Sequence, residues 1–370
     1  MKKKSLVPLL LLGLNSFTVQ AVDTSSVWLE TANPDLKNKI KVELLMNYGD
    51  TAKNQPDYPM VGVGDGLGIY QQQDKTIILM NHELKEKQGK IRAHGEKGAF
   101  VSKWTLGKQG LIKGEDLIKQ VAVYNHELKE YRLNITGLSK LCSADLPSAS
   151  ALFFQQQDKQ YGTQARIFFS GEELSTKKYK RYGRAFAHVV DGDFAGTSFE
   201  LPKLGRMAFE NIVLSPYPQQ QTIAMLMDDA TNVSHDAPED EKAIAAIHKK
   251  PPSELYIYIG NKQQQTENPI EAAGLNNGQL YGIQVEGMAK ENRQQAISAQ
   301  TPFKLIALDN EIEDEEGKKM QIESVRKGIS QFLRIEDGAW NLQKDKQHEY
   351  FFTTTDQFKG NSRLYKLAFT

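Results

Sequence analysis

The chain has 370 residues, and its 46 lysines and arginines are balanced by 46 aspartates and glutamates, so its formal net charge is zero. Without a charge excess, no long-range field favours nucleic acid or an anionic membrane, and we expect neither as a partner. Hydrophobic residues make up 39% of the chain and charged residues 25%, which is typical of soluble globular proteins. The length allows one large domain or two smaller ones.

The first residues predict a secretory signal peptide. Lys2-Lys3-Lys4 precedes an apolar run at residues 6–14, which is too short to span a bilayer, and Val19-Gln20-Ala21 fits cleavage after Ala21. We therefore expect a signal peptide at residues 1–21 and a single domain at residues 22–370. This domain is expected to be monomeric and to lie in the periplasm or outside the cell.

Short β-strand segments dominate the rest of the chain. They are rich in Val, Ile, Phe, Tyr and Thr and are separated by Gly, Asn and Asp. One convincing helix is predicted, at residues 239–248. The strand segments are residues 61–70, 75–82, 99–105, 120–125, 150–155, 165–171, 184–190, 222–228, 254–260, 279–286, 302–308, 332–336, 349–355 and 363–369.

Many short strands without intervening helices predict antiparallel sheets and an all-β fold. A repeated sequence within the chain favours repeated structural units: Gln71-Gln72-Gln73-Asp74-Lys75 has the same residues as Gln155-Gln156-Gln157-Asp158-Lys159. A β-propeller of six blades fits the length and the spacing, and a large β-sandwich is the alternative.

Four of the strand segments end in acids. They are residues 77–83, 167–173, 223–229 and 332–337. In a propeller, such strand ends would face one central funnel. Carboxylates that converge repel each other, and they are stable together only with hard cations or buried arginine.

Several of these residues have two interpretations. Cys142 is the only cysteine, so it forms no internal disulfide; it is either a buried small side chain or a metal-ligating thiolate. Arg334 and Glu336 share one face of a strand, as a structural ion pair or as a phosphate clamp beside a metal ligand. The pairs Glu172-Glu173 and Asp228-Asp229 are either solvated acids or cation ligands. Carboxylates suit Ca²⁺, whereas a thiolate with carboxylates suits iron better.

Other site classes have weak support. The histidines show no His-x-x-x-His spacing, the glycine-rich segment 62–68 is not followed by a helix, and no Gly-x-Ser-x-Gly motif is present. The sequence therefore does not favour a histidine-rich zinc site, a dinucleotide site or a serine-nucleophile triad.

An ordered set of segments, over roughly residues 60–358, resembles the PhoX family of secreted alkaline phosphatases. The segments are Asn81-His82-Glu83, Leu141-Cys142-Ser143, Phe169-Ser170-Gly171-Glu172-Glu173, Gly205-Arg206-Met207-Ala208-Phe209-Glu210, Asp228-Asp229 and Arg334-Ile335-Glu336-Asp337. The resemblance implies a six-bladed propeller with a mixed iron and calcium cluster and a cysteine among the iron ligands. Phe209 departs from the family motif, which has histidine there.

The resemblance also implies roles for individual residues. Arg334 is a candidate phosphate contact, and Arg334 and Glu336 are the candidate catalytic residues. The candidate iron ligands are Cys142, Glu210 and Glu336. The candidate calcium or bridging ligands are Glu83, Glu172, Glu173 and Asp229.

The implied function is a metal-dependent phosphatase that hydrolyses small-molecule phosphate esters, with Ca²⁺ and Fe³⁺ as cofactors. Two alternatives stay open. One is a calcium-stabilised propeller that binds ligands without catalysis. The other is a different hydrolase, such as a phosphotriesterase or a lactonase, on the same scaffold.

Overall fold

The computed structural model describes residues 44–231, 233–264, 266–309, 316–355 and 360–370. The predicted signal peptide lies outside these residues. Tyr48–Thr370 forms one compact unit, and the single domain expected at residues 22–370 stays a prediction. Within the described ranges, the helices are all too short or too polar to cross a membrane.

Strands make up most of the regular structure, as the sequence predicts. The described strands are β1 Gly64–Gln72, β2 Lys75–His82, β3 Phe100–Gly107, β4 Gly110–Asp116, β5 Gln120–Asn125, β6 Glu130–Asn134, β7 Leu141–Asp145, β8 Phe153–Gln156, β9 Lys159–Gly162, β10 Ile167–Glu172, β11 Gly183–Val189, β12 Thr197–Glu200, β13 Arg206–Met207, β14 Phe209–Leu214, β15 Gln221–Asp228, β16 Ser253–Asn261, β17 Gln279–Val285, β18 Phe303–Ala307, β19 Gln331–Phe332, β20 Ile335–Trp340, β21 Glu349–Thr354 and β22 Arg363–Ala368.

The described ranges contain few helices, and all of them are short. They are α1 Ala149–Leu152, α2 Glu241–Lys249, α3 Pro269–Ala272, α4 Lys318–Arg326 and a 3-10 turn at Pro202–Leu204. The predicted helix at 239–248 corresponds to α2, whose N-terminus is capped by Asp240. The strand predicted at 150–155 is wrong over its first residues, because α1 precedes β8 there.

The strands form four successive blade-like sheets. The first is β1-β2-β3-β4, the second is β7-β10-β11-β12, the third is β14-β15-β16-β17-β18 and the fourth is β20-β21-β22. Strand β5, which carries β6, pairs in parallel with β12, and β8 and β9 form a separate hairpin. The all-β prediction is confirmed, although the predicted six blades are not reached among the described residues.

The first strands of these sheets pack in series. Strand β7 contacts both β1 and β14, and β14 contacts β20. We call β1, β7, β14 and β20 the inner strands. Because they lie side by side, residues at their corresponding ends can meet at one place.

The core lies between neighbouring sheets, and the period of two along the strands explains it. Phe168 of β10 packs toward the first sheet with Leu79, whereas the next residue, Phe169, packs toward the third sheet with Leu226. Every residue of β10 is buried because the strand is covered on both faces. Side chains at the end of such a strand must therefore point to opposite sides.

Candidate metal centre

The predicted acids lie at strand ends, as their positions in the sequence indicate. Glu83 directly follows β2, Glu173 directly follows β10, and Asp229 directly follows β15. The apolar centre of each strand is largely buried, and every residue of β10 is buried. The chain thus delivers one acid from each of the first three sheets.

Further acids come from irregularities of the inner strands. The pairing register shifts between Gly64 and Leu67 in β1, between Phe209 and Asn211 in β14, and between Ile335 and Gly338 in β20. The acids inside these three irregular stretches are Asp65, Glu210, Glu336 and Asp337, of which Asp337 accepts a hydrogen bond from Asn211 Nδ2. A β-bulge redirects a side chain, and bulges are frequent beside active sites.

The structure brings six of the predicted site residues into two groups of metal-ligand type. The first consists of Glu83, Cys142 and Glu173. The second consists of Glu210, Asp229 and Glu336. Within each group, one ligand atom from every residue lies within 4.8 Å of the others.

Cys142 connects the two groups. Its Sγ donates to Glu210 Oε2 at 3.3 Å and lies 3.7 Å from Asp65 Oδ2. Ser143, the next residue, donates to the other oxygen of Glu210 at 2.8 Å. The groups are therefore contiguous, and together with Asp65 we call them the acidic cluster.

Two cations form ion pairs within the acidic cluster. Lys140 Nζ lies 2.9 Å from Glu83 Oε1 and also pairs with Glu173. Arg334 Nε donates to Asp229 Oδ1 at 2.9 Å, and its Nη2 pairs with Asp229 and, at 3.1 Å, with Glu336 Oε1.

Both of these cations have left-handed backbone conformations. The φ angle is 50° at Lys140 and 59° at Arg334, which is costly for residues other than glycine. Such conformations persist when the surrounding structure requires them, and they concentrate at functional sites.

Negative charge in the acidic cluster is poorly compensated. Burial, with repulsion from Glu336 and Asp229, raises the pKa of Glu210 to about 8. Burial raises the pKa of Asp229 to about 7 despite the hydrogen bond from Arg334. Burial and the nearby Glu210 and Asp65 raise the pKa of the Cys142 thiol.

The donor chemistry fits the metals that the sequence suggests. Six carboxylates and a thiol share two ion-paired cations, so a multivalent cation would offset the remaining repulsion. The oxygens suit Ca²⁺, and the group that includes the Cys142 thiol can also serve iron.

Glu172 lies outside the acidic cluster, which corrects the expectation that it ligates a metal. Its fully buried carboxylate accepts hydrogen bonds from Arg181 at 2.6 and 3.0 Å and from Arg184 at 2.9 and 3.1 Å, and one from the Ser139 N–H at 3.0 Å. Burial alone would raise the pKa of Glu172, but Arg184 and Arg181 lower it to about 2. Glu172 is a structural partner of two arginines.

Phe209, the departure from the PhoX motif, belongs to the core. Its side chain is fully buried and packs on Gly171, where an added Cβ would lie 2.3 Å from Phe209 Cβ. The following residue, Glu210, faces the acidic cluster. Phe209 is therefore a core residue, and Glu210 is the residue of this segment that belongs to the cluster.

Sequence reasoning missed three polar residues of the site, which are Asp65, Lys140 and Ser143. Asp65 lies inside the glycine-rich segment 62–68, and Lys140 and Ser143 flank Leu141-Cys142. Their closeness in sequence to the quoted motifs was the available signal.

A pocket of about 330 Å³ opens beside the acidic cluster. Its inner wall is formed by Lys140, Glu173, Asp229 and Arg334. The pocket gives a small ligand access to both ion-paired cations and to two acids of the cluster.

The fold and the site define a class: an all-β protein of propeller blades with an acidic cluster at its strand ends. Among solved structures, the fold is similar to that of Pseudomonas fluorescens PhoX in complex with vanadate, a transition state analogue. The TM-score is 0.53 and the sequence identity is 11%. The match covers 84% of this chain, which spans 64% of the PhoX chain.

This similarity confirms the predicted β-propeller fold. No protein-family model matches the sequence. No curated protein matches it either.

Proposed function

We propose that the protein is a metal-dependent phosphatase that hydrolyses phosphate esters of small molecules at the acidic cluster. The observation that carries this proposal is the convergence of six carboxylates and one thiol beside a pocket that is lined by two of these acids and by two ion-paired cations. The fold of a PhoX structure that contains vanadate, a transition state analogue, supports it. Export by the N-terminal segment, a periplasmic or secreted location and a monomeric state belong to the same proposal.

The ligand assignment follows the resemblance and combines residues of both groups, which the contact between Cys142 and Glu210 links. We assign Cys142, Glu210 and Glu336 to iron. We assign Glu83, Glu173 and Asp229 to calcium. Asp65, whose Oδ2 lies 3.7 Å from Cys142 Sγ, borders the iron ligands. When bound, these cations would supply positive charge to the phosphoryl oxygens and lower the cost of activating water.

Arg334 is the residue that we assign to the phosphoryl group. Hydrogen bonding to Asp229 raises the pKa of Arg334, so the guanidinium stays charged. Its side chain is 39% exposed and lines the pocket, so donors remain for oxyanion binding. Asp229 and Glu336 orient the guanidinium before a substrate arrives.

In the proposed hydrolysis, a water oxygen forms the new bond to phosphorus. The bond from phosphorus to the leaving alcohol oxygen breaks, and a proton from the water is transferred to that alcohol. Arg334 would stabilise the charge that gathers on the phosphoryl oxygens.

Phosphate release from an aryl phosphate by the metal-loaded protein tests the proposal. We expect hydrolysis that a chelator abolishes and that falls at least about 100-fold in Glu336→Gln. The matched control is Glu130→Gln, since Glu130 is an exposed acid that pairs with Arg132 and belongs neither to the pocket lining nor to the ligand groups. Full activity in Glu336→Gln, or no hydrolysis of mono-, di- or triesters by folded metal-loaded protein, would contradict the assignment.

A non-catalytic calcium-binding propeller is the second candidate. The direct pairing of Arg334 with both Asp229 and Glu336 favours it, because a structural ion pair has this arrangement. It predicts calcium without iron and no turnover of any ester. A substrate panel that includes lactones separates other hydrolases from both candidates.

A further inference from the structure

A basic loop forms the outer wall of the pocket. It follows Glu173 and contains Ser175-Thr176-Lys177-Lys178-Tyr179-Lys180-Arg181. Lys177, Lys178 and Tyr179 line the same pocket as Arg334 and Asp229. Two positive side chains of this loop therefore line the same pocket as part of the acidic cluster.

The base of this loop is held in place by backbone hydrogen bonds. The N–H of Glu173 donates to the Lys140 carbonyl at 2.9 Å, and the N–H of Gly183 donates to the Leu174 carbonyl at 2.9 Å. Arg181, near the loop's end, pairs with the buried Glu172. The loop therefore starts and ends at residues whose positions are fixed relative to the cluster.

The tip of the loop is also ordered. The Ser175 carbonyl accepts hydrogen bonds from the N–H groups of Lys178 and Tyr179, at 3.2 and 3.1 Å. The Thr176 hydroxyl donates to the His248 carbonyl of α2. These contacts hold the turn over the pocket, so Lys177 and Lys178 keep their places on its wall.

The positive side chains that line the pocket differ in whether carboxylates pair with them. On the inner wall, Lys140 and Arg334 are paired with carboxylates. On the outer wall, Lys177 and Lys178 are exposed and form no ion pair among the residues that the structure describes. The uncompensated charge of the pocket thus comes from residues other than those assigned to the scissile phosphate.

We propose that Lys177 and Lys178 bind a second anionic group of the substrate, so that the preferred esters carry a phosphate or carboxylate besides the scissile phosphate. This inference rests on the proposed phosphatase function. A pocket of about 330 Å³ accommodates a small ester with two anionic ends. Exposed lysines attract such a group by charge and hydrogen bonding, and salt weakens this attraction.

A matched pair of substrates tests the inference. Glycerol 3-phosphate has a hydroxymethyl group where 3-phosphoglycerate has a carboxylate. The third substrate, 2,3-bisphosphoglycerate, carries the same carboxylate and a second phosphate. In the double variant Lys177→Gln/Lys178→Gln, we expect kcat/KM for the two substrates with a second anion to fall roughly tenfold through KM. The value for glycerol 3-phosphate should change less than about threefold. A larger loss for 2,3-bisphosphoglycerate would assign the subsite to phosphate, and equal losses for these two substrates would assign it to the carboxylate that both carry.

Lys180→Gln is the control, because Lys180 is on the same loop but outside the pocket lining. Its positive charge helps to lower the pKa of Glu316 instead. This variant removes one positive charge of the same loop and should leave the preference for a second anion intact. An equal loss of preference in Lys180→Gln, or equal losses for all three substrates in the double variant, would overturn the inference.

Binding measurements separate this inference from the phosphatase proposal. Calorimetry with 3-phosphonopropionate and propylphosphonate, which are not hydrolysed, compares a ligand that has the second anion with one that lacks it. A lysine-dependent preference for the first ligand without ester hydrolysis would keep the subsite and reject the phosphatase. Hydrolysis of glycerol 3-phosphate without any such preference would reject the subsite alone.

Discussion

Glu172 and Glu173 are neighbours at the end of β10, but their side chains lie in different surroundings. Glu172 is fully buried between Arg181 and Arg184, which lower its pKa to about 2. Glu173 faces the pocket and shares one lysine, Lys140, with Glu83. A carboxylate enclosed by arginines is saturated, whereas one that shares a cation retains oxygens for a metal ion.

The largest effect is expected from neutralising Glu172, the carboxylate that is enclosed by two arginines. In Glu172→Gln, two arginines keep their charge beside a neutral amide in a buried site. We expect the free energy of unfolding to fall by about 3–5 kcal/mol, measured by urea denaturation. In the matched variant Glu173→Gln the loss should stay within about 1 kcal/mol. Similar losses in the two variants would remove the distinction between the neighbours.

The same difference predicts that part of the free energy of unfolding is lost at acidic pH. The folded-state pKa of Glu172 is lowered from 4.5 to about 2. Its contribution to stability is therefore complete above pH 4.5 and is lost as pH falls through that range toward 2, by roughly 3 kcal/mol. Unfolding curves of the wild-type protein and Glu172→Gln should converge on acidification. Curves that remain parallel would show that the arginines do not act through this carboxylate.

Replacing the Cys142 thiol tests whether the acidic cluster binds metal ions. Cys142→Ser keeps the size of the side chain but replaces the soft sulfur ligand, so we expect loss of bound iron and at least about a 100-fold loss of phosphate release. Stability of the metal-free protein should change little, and Cys142→Ala serves as the control for a polar effect of serine. If both variants lose stability yet keep iron and activity, Cys142 is only a buried small side chain.

Arg334→Lys should have the smallest effect. Lysine keeps the positive charge but cannot pair through two nitrogens with Asp229 while binding a phosphoryl oxygen. We expect kcat to fall roughly tenfold with a smaller change in KM, measured by steady-state kinetics. An unchanged kcat would indicate that Arg334 has only a structural role.

Local patterns predicted much of the fold. Apolar alternation and intervening turn residues located most strands, and the acids that follow strands β2, β10 and β15 were visible as strand tips. The single cysteine and Arg334-Ile335-Glu336 were visible as well. Each of these features depends on residues that are close together in the sequence.

Pairings between distant residues could not be predicted in this way. The sequence does not show that Arg184, on the strand paired with β10, compensates Glu172 rather than Glu173. The register shifts in the inner strands that contain Asp65, Glu210 and Glu336 have no marked local pattern either. The division into saturated and unsaturated acids therefore emerges only in three dimensions.

Elemental analysis of the purified full chain tests the central claim most directly, namely that the undercompensated acids hold metal ions. The account predicts at least one iron and one calcium per chain in the wild-type protein, loss of iron in Glu210→Gln, and full retention in the control Glu130→Gln. A folded wild-type protein that binds neither metal when both are supplied, or an unchanged metal content in Glu210→Gln, would contradict it.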